Sequence, residues 1–144
     1  MEHNDIGPGV DISRRIGVVF EGLLASPPPS PRFKLLKGPV VPPLHQWHLN
    51  DKPYRSLRRM DSQLVPYEIY TLVNHDNEEW AEQIDDWLNR MNVFPYHVHG
   101  FRDVSNLSAY LLANLEVHTV FVPNDSLAIS FRCMVVTPET ELRA

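Results

Sequence analysis

The feature that most constrains this chain is an apolar run that ends abruptly at a glycine. In Arg15–Ser26, R-I-G-V-V-F-E-G-L-L-A-S, the bulk comes from Ile16, Val18, Val19 and Phe20, and Gly22 stops the run. Such a run reads as a buried strand ending in a sharp turn. In an open α/β sheet, the place where a central strand ends is where chemistry collects.

Further elements alternate behind it. Residues 1–14 read as an arm broken by Gly7-Pro8-Gly9, and residues 15–24 as the first strand. Ser26-Pro27-Pro28-Pro29-Ser30-Pro31 is a stiff polyproline-like spacer, or, on a sharper reading, a docking site centred on Pro28. Residues 26–53 as a whole read as a proline-rich flap or insertion, with a small hairpin of 33–36 and 40–41 around Lys37-Gly38. His45-Gln46-Trp47-His48 can form an exposed patch over a buried Trp47, or offer two imidazoles to a metal.

Asn50 or Asp51 is placed to cap a helix with Pro53 in its first turn, ending near Gln63. Tyr54, Leu57 and Leu64 form its apolar stripe, and Arg55, Arg58 and Arg59 face the other way. Tyr67–Val73 is a second strand. Trp80, Ile84, Trp87, Leu88 and Met91 then recur with helical spacing, the clearest periodicity in the chain. Val93–His99 reads as a third strand that places His97 and His99 on one face. A helix capped by Asp103 or Ser105 follows, with Leu107, Tyr110, Leu111 and Leu115 inward. Val117–Val122 is a fourth strand, Ser130–Val136 a fifth, and residues 137–144 a polar tail.

Composition narrows the function classes. The chain has 144 residues, 43% hydrophobic and 22% charged, as expected for one globular domain. A net charge of −5 argues against nucleic acid as a general partner. The single cysteine, Cys133, cannot form an intrachain disulfide. The N-terminus lacks the pattern of a signal peptide and no apolar run is long enough to span a bilayer, so the expectation is a cytoplasmic protein that does not enter the membrane.

Alternation of strands and helices implies a mostly parallel sheet with helices on both faces. The loops after the first, second and fourth strands meet at one edge of such a sheet, and they hold Glu21-Gly22, Asn74-His75 and Asn124-Asp125.

At these points the chain resembles the haloacid dehalogenase (HAD) superfamily of phosphatases, whose first motif is a hydrophobic strand running into Asp-x-Asp-Gly-x-Leu. Here the frame is Val19, Phe20, Glu21, Gly22, Leu23 and Leu24. The resemblance spans residues 15–136. It implies an α/β fold: a Rossmann-like three-layer sandwich on a mostly parallel five-stranded sheet, with a proline-rich flap covering the site and no large cap. It also implies what is missing. Val19 stands where the nucleophilic Asp belongs, and Glu21 where the general acid/base belongs. Val73 and Asn74 replace the phosphoryl-binding Ser or Thr, and Thr71 would fit only with a shift. No lysine precedes or opens the 103–114 helix, where only Arg102 is near. Asn124-Asp125 replaces the paired magnesium-binding acids. Glu21 and Asp125 remain as two carboxylates for Mg²⁺, which prefers oxygen ligands. Valine has no atom that can act as a nucleophile.

Three readings follow. The first is a non-catalytic HAD-like pseudoenzyme kept for its surface: a protein-interaction or structural subunit, self-associating or partnered, in an assembly such as a virus particle. Its candidate contacts are Pro28, Trp47, Arg55, Arg58 and Arg59. From Arg32 to Arg59 there are seven bases and one acid, whereas Asp76–Asp86 holds six acids and no base. The second is a phosphate- or nucleotide-binding module that needs Mg²⁺ but does not turn over. The third is a hydrolase, either a divergent HAD-type phosphatase or one with Glu21 or His75 as general base. Against all three stands the simpler possibility that Glu21, Asn74 and Asp125 satisfy backbone groups at strand ends.

Overall fold

A computed structural model describes residues 15–28, 42–72, 77–124 and 132–143. The arm 1–14, the expected hairpin at 33–41, Val73, Asn74, His75 and Asp125 lie outside the described residues.

Five parallel strands form one sheet in the order β5-β4-β1-β6-β7. These are β1 (Arg15–Val19), β4 (Tyr67–Thr71), β5 (His97–Gly100), β6 (Val117–Val122) and β7 (Cys133–Val135). The other two, β2 (Ala25–Ser26) and β3 (His48–Leu49), pair antiparallel just beyond the end of β1. The helices are α1 (Asp51–Ser62), α2 (Asn77–Arg90) and α3 (Val104–Ala113).

Strand parity builds the layers. Ile16, Val18 and Phe20 face one side with Leu57 and Met60 of α1 and Trp80, Ile84, Trp87 and Leu88 of α2. Val19 faces the other, with Tyr70, Val120 and Val122 and with Leu107 and Leu111 of α3. The architecture is therefore α/β in three layers, Rossmann-like, with β1 at the centre of the sheet. Gly17 is required within it: a Cβ there would overlap the Tyr70 ring, whose Cζ would be 2.9 Å away.

Several boundaries differ from those expected. Thr71, not Val73, ends β4, and β1 ends at Val19. The third strand moves to His97–Gly100, because Val93 is a core residue of the connection and Pro95 cannot pair within a ladder. The last strand is only Cys133–Val135. Leu64 and Leu115 are exposed, at 74% and 77%, because each lies just past its helix rather than on its inner stripe. Met91 is likewise half-exposed, one residue beyond α2. The polar tail is not free: Leu142 is buried, and its N–H donates to Ser56 Oγ of α1 at 2.9 Å. None of the described helices is long and apolar enough to cross a membrane.

Candidate functional site

The end of β1 is where the expected site is tested. After Val19 the backbone closes a tight turn: Leu24 N–H donates to the Val19 carbonyl and Ala25 N–H to that of Phe20. Gly22 takes φ +86° in this turn, a conformation that glycine adopts without strain. A Cβ on Gly22 would lie 3.6 Å from Pro123, so the ends of β1 and β6 do converge.

Val19 is buried among the α3-side residues. Glu21 turns inward to the neighbouring strand. Its Oε2 accepts the Thr71 hydroxyl and the Trp80 indole N–H at 3.1 Å, and its Oε1 accepts Leu72 N–H at 3.1 Å. Burial pushes the pKa of Glu21 up, and the bonds from Thr71, Leu72 and Trp80 draw it part of the way back. One carboxylate thus ties the ends of β1 and β4 to α2. Three internal donors occupy its two oxygens, so it does not fit the role of a magnesium ligand facing a substrate. Asn124 is exposed at the end of β6.

Trp47 closes this region from the segment just before β3. It is 7% exposed, and its ring lies 5.4 Å from Phe20 and 6.0 Å from Trp80. Its indole donates to the Pro42 carbonyl at 2.9 Å. Trp47 is therefore buried beneath the exposed His45, Gln46 and His48, as the patch reading expects, and is a core anchor rather than a surface contact. Asn50 occupies the N-cap position of α1, but its side chain serves the turn after β1: Nδ2 donates to the Leu23 carbonyl at 2.7 Å, and Oδ1 accepts from Ser26.

The basic face of α1 is exposed but partnered. Arg55 pairs with Asp51, Arg59 lies 3.9 Å from Glu141, and the Arg58 guanidinium sits over the Tyr54 ring at 6.0 Å. Pro28 is half-buried just beyond β2. Among the described residues no group of three or more His, Cys, Asp or Glu is gathered to hold a metal.

A second polar centre went unseen in the sequence. Glu68, 1% exposed and second in β4, accepts from Arg15 at 3.1 Å, Tyr70 at 2.9 Å and Tyr110 at 2.7 Å, with His99 Nε2 at 3.5 Å. Burial alone would raise its pKa, but the bonds from His99, Tyr110 and Tyr70 outweigh this and hold it at about 2. His97 stacks on His99 with ring centroids 4.6 Å apart. The charge in Y-E-I-Y-T was hidden because a strand surrounded by apolar residues reads as wholly apolar. The one available signal was Arg15 opening the neighbouring strand, with Tyr110 on a helix behind it.

Comparison of the chain with protein-family models, with curated proteins and with solved structures returns no match in any of the three.

Proposed function

We propose that this chain is a non-catalytic, HAD-like domain that acts as a protein-interaction or structural unit. The observation that carries this reading is the state of the two motif positions at the end of β1. Val19 packs into the core, and the Glu21 carboxylate is consumed by Thr71, Leu72 and Trp80. A group committed to three structural donors is poorly placed to relay protons to a substrate. Support for the HAD-like layout comes from the central place of β1, the tight turn at Glu21–Leu24, and the β2–β3 pair directly after it, where the resemblance expects a flap.

The test combines two measurements on the full chain: hydrolysis of p-nitrophenyl phosphate with and without Mg²⁺, and calorimetric titration with Mg²⁺. The reading expects no turnover and no stoichiometric heat of binding. Magnesium-dependent turnover that disappears in Glu21→Gln would contradict it.

A further inference from the structure

Three observations converge on the rim of the sheet at β5. The first is an open edge. Among the described residues β5 has a strand neighbour on one side only, β4. Tyr96 N–H donates to the Tyr67 carbonyl, and Val98 sits opposite Ile69. Phe101 N–H donates to the Thr71 carbonyl, so strand alternation turns the N–H groups of His97 and His99 toward β4 and those of Val98 and Gly100 outward. Natural sheets blunt such edges with lysine, proline or a bulge. His-Val-His-Gly has no lysine or proline.

The second is a groove of about 660 Å³ between this edge and α2, with Ala81, Glu82 and Asp85 on one wall and Tyr96, His97 and Val98 on the other. Tyr96 on that wall is 56% exposed.

The third is charge. Neither Glu82 nor Asp85 forms an ion pair with a lysine or arginine among the described residues. Burial, and then the neighbouring Asp86, push the Asp85 carboxyl up, while His97 pulls it down. A cation placed here would relieve that crowding.

We infer that the β5 edge and the acidic flank of α2 form a docking groove for an extended, basic segment of a partner protein. The segment adds as a strand outside β5 and sets alternate Lys or Arg side chains against Glu82 and Asp85. This rests on the reading of the chain as an interaction domain. Charge selects the occupant. A second copy pairing β5 to β5 about a two-fold axis would bring two acidic α2 helices to the same rim, where like charges oppose association.

The probe is a short fluorescent peptide alternating lysine with threonine and valine, against a control with glutamate in place of lysine. Anisotropy is read on the full chain, and amide hydrogen exchange on β5. The lysine peptide is expected to bind, to slow exchange at Val98 and Gly100, and to weaken with salt. The double variant Glu82→Lys/Asp85→Lys should weaken it at least about tenfold. Gly100→Pro, which removes an outward N–H, should do the same with the thermal midpoint maintained. Failure of the lysine peptide to bind, equal binding of the glutamate control, or unchanged exchange at β5 overturns the groove. A native mass above one chain that falls in Gly100→Pro gives the edge to self-association and also overturns it. Phosphatase turnover, by contrast, would remove the interaction reading itself, so the two failures are distinguishable.

Discussion

Trp80 Nε1 lies 3.1 Å from Glu21 Oε2, so the first turns of α2 are fastened to the end of the central strand by one indole. Trp80→Phe keeps an aromatic ring against Trp47 but loses the indole donor together with part of the buried ring volume. It should cost about 1–2 kcal/mol in urea unfolding. Glu21→Ala orphans the Thr71, Leu72 and Trp80 donors together and should cost more, about 3 kcal/mol. A neutral effect of Glu21→Ala would mean that the carboxylate has no structural role.

Acid should weaken the fold through Glu68. Its ordinary pKa of 4.5 falls to about 2 in the native state. The stabilisation is therefore complete above about pH 4.5 and is lost as pH falls toward about 2. Glu68 is buried, but His99 beside it is 24% exposed, so water screens part of the effect, leaving about 2 kcal/mol. Glu21 has the opposite sign, since its raised pKa makes acidification favourable. Urea midpoints at about pH 5 and about pH 3 should differ less in Glu68→Gln than in the parent chain.

The C-terminal tail should count as part of the core. Leu142 is 1% exposed and belongs to the α1–α2 side of the sheet. Leu142→Ala should cost about 2–4 kcal/mol. Ser56→Ala, which leaves the buried Leu142 N–H unsatisfied, should cost about 1–2 kcal/mol. Denaturant unfolding of the two variants measures both.

Gly17→Ala should be poorly tolerated, because the Tyr70 ring fills the space above Gly17 and is itself held by Glu68. A loss of about 1–3 kcal/mol is expected from thermal unfolding. Tyr70→Leu in the same chain should recover part of it by vacating the ring.

Sequence alone revealed the helices and the strand alternation because their signals are local. Asn50 before α1, Asp103 before α3 and the Trp80–Leu88 stripe act over a few residues, and all lie where expected, although the Asn50 side chain bonds elsewhere. What stayed hidden depends on partners far along the chain. Glu68 is explained only by Arg15, His99 and Tyr110, and Leu142 only by Ser56, which is 86 positions away. The strand end at Glu21 was legible as a place, but its partners Thr71 and Trp80 were not. Nothing in a linear pattern says which way a carboxylate turns.

The most direct measurement is turnover of p-nitrophenyl phosphate with Mg²⁺ by the parent chain and by Glu21→Gln, with thermal midpoints recorded on the same samples. The account predicts no turnover in either and a lower midpoint in Glu21→Gln, because an amide nitrogen cannot accept the hydrogen bonds that a carboxylate oxygen accepts. Turnover in the parent that vanishes in Glu21→Gln, with the midpoint unchanged, would contradict it.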